Sequence, residues 1–353
     1  MAVRVGIAVK GIDHSAIKDL ILNNLRLGFA SAGDAHGEAP KWSKFVRDVA
    51  NEPELPLIIA AGDYLPEPTK DLESASKTIE GLFKILLESQ KKKILVLGGN
   101  YDPLGVSAEL ASRIGEPLFS IGCDSANPTK PYPGNHLSYG GFEFFGVEGS
   151  NPINGTFPGE RSEQEIKWAL SKAEEKTQKM EPMTSIVVSH VPPHNCGTRD
   201  ELGMFGLPSA YWGRHVGSTA LKEYLHEKRP LLSVCGHVHE GVGATTHVWI
   251  DGKPELMDMR MESASYRIAL FMKKETPHKL TVCVNHGTLE YWTYMRYRVA
   301  EVGDCVGMEI AKRRLGGKDA ITRITDGLTG RGSKVIYDKI IDPDNVLNDL
   351  LRR

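Results

Sequence analysis

The chain has no apolar run approaching the ~18 residues that cross a bilayer, and charges interrupt the apolar stretches of its opening segment, MAVRVGIAVKGIDHSAIKDL. Neither a membrane span nor a cleavable secretion signal is expected. Cysteine is scarce: Cys123, Cys196, Cys235, Cys283 and Cys305 lie far apart, form no C-x-x-C pair and are odd in number. That argues against a disulfide framework and for a reducing, cytoplasmic setting. A surplus of one charge is also missing. Lys plus Arg is 43 against 45 Asp plus Glu, a formal net charge of -2. Bulk electrostatics therefore give no hold on long duplex DNA or an anionic membrane, although one basic face for nucleic acid stays open. No low-complexity segment and no repeat of roughly 20–50 residues is present.

What is present is an ordinary globular composition, 41% hydrophobic and 25% charged over 353 residues, with enough apolar material for a full core. At ~150 residues per domain the length suggests two domains, but α/β folds run past ~250 as one. Val3, Val5, Ile7 and Val9 alternate as in an opening strand, and Ile17, Leu20 and Ile21 suggest a short helix after it. Five apolar runs then end abruptly in polar or glycine-flanked loops: LRLGFA in SAGDAHG, LPLIIAA in GDYLP, KKILVL in GGNYDP, TSIVV in SHVPPH, and PLLSV in CGHVHE. Such runs read as buried strands.

Amphipathic helices separate most of them. Trp42, Phe45, Val46 and Val49 follow Pro40; Leu72 to Leu86 makes a longer helix; Glu163 to Lys179 another; Ser218 caps one that carries Leu221, Tyr224 and Leu225. HLSYGGFEFFGVEGS predicts a hairpin turning at Gly140-Gly141. Beyond residue 240, the Asp251-Gly252 turn signal and the β-rich VCVNHGTLEYWTYMRYRV predict a second, mostly antiparallel group of strands. The expected architecture is two packed sheets with helices outside. Residues 301–353, rich in charge and ending in the helix-like DNVLNDLLRR, are expected as an extension that serves as a surface element or a subunit or partner contact, after a main domain over 1–300. The GLTGRGSK stretch there lacks the spacing of a phosphate loop.

In α/β sheets, ligands gather beyond the carboxyl ends of the strands. Those ends carry Asp34, His36, Asp63, Asn100, His190, His237 and His239. Each supplies an N or O donor, and none a thiolate. Taken singly, such residues are ordinarily caps or surface groups; a ligand type at every one of five strand ends is the argument. Asp34 and His36 are two apart, as are His237 and His239, and in extended backbone i and i+2 point the same way. Seven ligands exceed one ion and suit two sharing a carboxylate. Mixed carboxylate, imidazole and amide donors suit Mn²⁺ first, then Fe, Zn²⁺, Ni²⁺ or Co²⁺. Two such ions ~3.5–4 Å apart hold the attacking and leaving oxygens of a phosphoryl displacement.

These segments resemble the signature of the calcineurin-like metallophosphoesterases: D-x-H, then G-D, then G-N-H-D, then H, then G-H-x-H. Here they read GDAHG (33–37), GD (62–63), GNYD (99–102), SH (189–190) and GHVH (236–239), over about two thirds of the chain. The resemblance implies a four-layer α/β/β/α sandwich of two mixed sheets, with two metals at the sheet edges. Asp34, His36 and His239 would hold the first metal, and Asn100, His190 and His237 the second, with Asp63 shared. A hydroxide bridging the ions would attack phosphorus in line.

One departure stands out, because the family's G-N-H-D histidine is Tyr101 here. The family assigns that histidine to phosphate stabilisation or leaving-group protonation, and some members without it cleave diesters with little monoesterase activity. A phenol of pKa ~10 donates a hydrogen bond but is a poor proton donor at neutral pH. The expectation is therefore a phosphodiesterase acting on a small, nucleotide-like phosphorylated substrate. Asp102 has either an orienting or a structural part. His194, in SHVPPH, and His215, ahead of the Leu221 helix, are candidate substitutes for the missing histidine. The N-terminus of that helix is a candidate phosphate contact. Arg199 is read as an exposed loop residue, and no role is assigned to His247, His278 or His286, although VNHG (284–287) resembles the family's N-P-G stretch. The competing readings are a phosphomonoesterase or protein phosphatase, a nuclease, and a non-catalytic metal-binding scaffold of the same fold. A homo-oligomer is compatible with all of them.

Overall fold

The computed structural model describes residues 14–89, 91–121, 136–152, 155–176, 181–196, 214–241, 243–250, 253–260, 266–274, 280–289, 293–315, 339–341 and 347–352. The opening strand expected over Val3–Val9, the Asp251-Gly252 turn, Cys123, Arg199, His278 and the GLTGRGSK stretch lie outside these residues.

Alternation along the strands builds the layers. In β1 (Leu25–Ala32), Leu27 and Phe29 face one side, and Ala30 and Ala32 the other, as a two-residue pleat requires. β2 (Leu57–Ala61) and β3 (Lys93–Leu97) repeat this. Leu57, Ile59, Leu95 and Leu97 join Phe29, while Ile58, Ala60, Ile94 and Val96 join Ala30. Strands buried on both faces leave unbroken apolar runs.

The face bearing Ala30 is covered by α2 (Ala39–Ala50), α3 (Leu72–Leu87) and α4 (Val106–Ile114), through Trp42, Phe45, Ile79, Phe83 and Leu110 among others. Asp71 starts α3 by accepting the N–H groups of Glu73 and Ser74. Helix α4 is absent from the sequence expectation, and its start explains why. Gly105 precedes it in left-handed backbone without a side-chain cap.

The first sheet runs, in spatial order, β15 (Lys339–Ile341), β11 (Tyr266–Lys273), β14 (Cys305–Arg314), β13 (Thr293–Val302), β1, β2, β3 and β4 (Leu118–Ser120). The second runs β10 (Lys253–Arg260), β9 (Gly243–Ile250), β12 (Leu280–Asn285), β8 (Leu232–Cys235), β7 (Ser185–Ser189), β6 (Phe142–Val147) and β5 (His136–Tyr139). Each has a parallel centre, β1 to β4 in one and β6, β7, β8 and β12 in the other, extended by antiparallel pairings, with β15 added parallel to β11 at the edge of the first. The strands beyond residue 240 therefore do not form a group of their own; they extend both sheets. Likewise β14, from the expected extension, pairs with β13 and β11 inside the first sheet.

Between the sheets, Phe29 stacks on Tyr297 at 4.3 Å and meets Phe144 edge-on at 5.7 Å. The outer face of the second sheet is covered by α5 (Glu163–Lys176) and α6 (Thr219–Lys228), through Ile166, Leu170, Leu221 and Leu225. α1 (His14–Asn23) and α7 (Leu347–Arg352) pack Ile17, Ile21, Leu347 and Leu350 on Ala269, Phe271 and Ala300. The result is two mixed sheets with flanking helices, in four layers. No described helix is long and apolar enough to cross a membrane.

Candidate metal centre

Every expected ligand occupies the turn after a strand. Asp34 and His36 follow β1, Asp63 follows β2, Asn100 follows β3, His190 follows β7, and His237 and His239 follow β8. The turns are not extended, which corrects the i, i+2 argument. Asp34 (φ 52°), His36 (φ 46°), Asp63 (φ 49°) and His237 (φ 69°) are all in left-handed backbone. That conformation costs a non-glycine residue on the order of 1 kcal/mol or more, and Asp and His accept it better than most. The paired histidines also diverge. His239 joins Asp34 and His36, while His237 joins Asp63 and His190, and in each trio the donor atoms lie within 4.8 Å of one another.

The distances show two adjoining clusters. His36 Nε2 faces His239 Nε2 at 3.4 Å, and His239 Nε2 stands 3.4 Å from Asp34 Oδ1. His190 Nε2 lies 2.9 Å from Asn100 Oδ1, 3.5 Å from Asp63 Oδ2 and 4.0 Å from Asp34 Oδ1. Ligands of a tetrahedral ion with bonds of ~2.1 Å stand ~3.4 Å apart, so the donor atoms fit a shared cation in type and spacing. Supporting contacts orient them. His190 Nδ1 lies 3.1 Å from the Ala61 carbonyl, which directs Nε2 inward. Asp63 Oδ1 accepts the Tyr101 N–H at 2.9 Å, and Asp34 accepts the His237 N–H at 3.2 Å.

The charges are mutually dependent. Burial alone would depress the His190 imidazole, but the Asp63 and Asp34 carboxylates outweigh it and hold it up at about 10. Burial, then the His190 charge, push His237 down to about 3. For Asp34, burial is outweighed by His190, His239 and His286, which hold the carboxyl well below its usual range.

Two buried clamps lie behind the ligands. Asp102 accepts the N–H groups of Tyr64, Leu65 and Gly99, joining the turn after β2 to the turn after β3. Burial, then the Asp63 charge, raise its carboxyl to about 7. Glu148, at the end of β6, accepts the Gly105 N–H at 2.9 Å and pairs with Arg161 at 3.1 Å, both side chains fully buried.

Tyr101 borders the first cluster. Its ring meets His36 edge-on at 4.8 Å and stacks on Phe157 at 5.3 Å. His194 and His215 stand beside one another, with ring centres 5.7 Å apart. The N-terminus of α6 is not available to a phosphate. Glu163 takes up the Thr219 and Ala220 N–H groups, and Ser218 Oγ that of Leu221. His247 lies in β9.

Sequence reasoning passed over His286 and Phe157. His286 is fully buried against Asp34, with Nε2 3.7 Å from Oδ2. Its signal was available, because the VCVN run of β12 ends in His-Gly as the other apolar runs end in candidate ligands.

Comparison with protein families matches residues 28–241 to the calcineurin-like phosphoesterases. One solved structure aligns at 14% identity over 82% of this chain and 99% of its own, with a TM-score of 0.53, a likeness of fold alone. A protein from Thermus thermophilus aligns at 14% identity over 76% of this chain and 93% of its own, with a TM-score of 0.47. A dimetal phosphatase from Danio rerio aligns at 12% identity over 83% and 100%, with a TM-score of 0.44. No curated protein matches the chain.

Proposed function

The chain belongs to the calcineurin-like phosphoesterase family, and from that premise we propose that it is a two-metal phosphodiesterase acting on small, nucleotide-like phosphodiesters. The observation that carries the reading is the pair of converging donor trios, each drawing residues from the strand ends of both sheets. In this account Asp34, His36 and His239 hold one ion, His190, His237 and Asn100 the other, and Asp63 is shared. Mn²⁺ is the first choice for these donors. When bound, such ions supply an activated water near neutral pH and stabilise charge on the phosphoryl oxygens.

The chain's own residues position and select. The left-handed turns and the Ala61 contact to His190 fix the donors before any ligand arrives, and that preorganisation is what a charged transition state rewards. Asp102 anchors rather than reacts, since three backbone N–H groups occupy its carboxylate.

The diester preference rests on Tyr101. A phenol donates a hydrogen bond to a phosphoryl oxygen but is a poor proton donor at neutral pH. Substrates whose leaving group departs without protonation are therefore favoured. The Tyr101–Phe157 stack places an aromatic flank beside His36, which suits a planar leaving group.

A paired assay tests this. Metal-stripped protein is given Mn²⁺, Ni²⁺, Zn²⁺ or Mg²⁺ and offered bis(p-nitrophenyl) phosphate or p-nitrophenyl phosphate. Metal-dependent cleavage of the diester with little of the monoester is expected. A monoester preference would overturn the Tyr101 argument and make the His194–His215 pair the proton source to examine. Two bound ions without turnover on either ester would favour the scaffold reading.

A further inference from the structure

We propose that His286 is a positioning residue that holds the Asp34 carboxylate in its ligating orientation; the inference rests on the two-metal reading above. The two oxygens of Asp34 face different surroundings. Oδ1 faces the donors, 3.4 Å from His239 Nε2 and 4.0 Å from His190 Nε2. Oδ2 faces His286 Nε2 at 3.7 Å, and the His237 N–H is shared between the two oxygens at 3.2 and 3.3 Å. His286 is fully buried, and neither ring nitrogen has a hydrogen-bond partner among the described residues. Buried polar groups are ordinarily satisfied, and the acceptor opposite Nε2 is Asp34 Oδ2. Closing the gap by ~0.9 Å gives a charge-assisted N–H···O bond of ordinary length, and such bonds tighten when a site fills.

The surroundings are shaped for this ring. A Cβ at Gly33 would stand 2.8 Å from His286 Nε2, and one at Gly236 2.7 Å, so both turns lack a side chain where the imidazole enters. The flanking residues grip the same two turns. Thr288 Oγ1 donates to the Asp34 carbonyl, and Leu289 N–H donates to the Gly33 carbonyl at 2.9 Å. Asn285 Nδ2 donates to the Gly236 and Val238 carbonyls at 3.2 and 2.9 Å. Residues 285–289 thus tie the Asp34 turn to the His237–His239 turn, and His286 is their side-chain contact with the carboxylate.

The test is Mn²⁺ binding to the metal-stripped full chain by titration calorimetry, with two variants that separate ring from donor. His286→Phe keeps a ring of similar size without a donor, and His286→Gln keeps an N–H donor without the ring. In wild type, two bound ions are expected. His286→Phe should weaken one site by ~10–100-fold, the usual effect of losing a group that orients a ligand, and leave the other near wild type. His286→Gln should stay near wild type at both. Wild-type affinity in both variants, or equal loss in both, would overturn the positioning role while the two-metal reading stands. Fewer than two ions bound by wild type would overturn that reading and this inference with it.

Discussion

Arg161→Met is a quantitative probe of the scaffold behind the ligands. Arg161 and Glu148 are both fully buried, and the guanidinium holds Glu148 at two points: Nη2 to Oε1 at 3.1 Å and Nε–H to the carbonyl at 3.1 Å. The same carboxylate oxygen accepts the Gly105 N–H at 2.9 Å. It therefore ties β6 of the second sheet to the segment after Asn100 and Tyr101 of the first. Replacing the arginine leaves a buried carboxylate without its cation, which costs about 3–5 kcal/mol. At roughly 2 °C per kcal/mol for a chain of this size, the melting temperature of the metal-free protein should fall by about 8 °C. The assay is calorimetric or urea unfolding of wild type, Arg161→Met, Glu148→Gln and the double variant. Glu148→Gln removes the charge while keeping an acceptor for Gly105, so the double variant should be more stable than Arg161→Met alone. That sign is the reverse of additivity, as expected of residues in contact. A loss of less than ~1 kcal/mol in Arg161→Met would refute the claim that this pair holds the two sheets together under the ligand turns.

Tyr101→His should raise monoesterase turnover relative to diesterase turnover, read as the ratio of kcat/KM for the two nitrophenyl esters; an unchanged ratio would remove position 101 from the account of specificity. Glu163→Ala deprives α6 of acceptors for the Thr219 and Ala220 N–H groups and the Ser218 hydroxyl. About 1–2 kcal/mol of stability should be lost. Metal binding should not change, because that helix end serves the fold rather than a substrate.

How much of this was legible in the sequence depends on the range of the interaction. The β1, β2, β3, β7 and β8 strands were visible because strands buried on both faces carry apolar residues without interruption, and their ends were visible because each run stops at a residue of ligand type. The left-handed turns at Asp34, His36, Asp63 and His237 were not visible, since the residue types that tolerate that backbone also occur in extended segments. The division of His237 and His239 between two clusters follows from those turns, and it was implied by the family resemblance rather than by the i, i+2 spacing. Sheet membership was hidden for a different reason. β13 and β14 extend the first sheet and β9 and β12 the second, and partner choice is set by the assembled layers rather than by local pattern. His286 was hidden by long range as well. Its neighbour Asp34 lies near the other end of the chain, so only the folded sheets bring the two side chains together.

The central claim is that the converging trios form a two-ion catalytic centre sharing Asp63. The most direct test is to titrate metal-stripped protein with Mn²⁺ while following bis(p-nitrophenyl) phosphate hydrolysis, in wild type and in Asp63→Asn. Turnover that appears with the second equivalent in wild type, and is lost together with metal binding in Asp63→Asn, is the predicted result. Full turnover in Asp63→Asn, or in wild type without metal, would contradict the account.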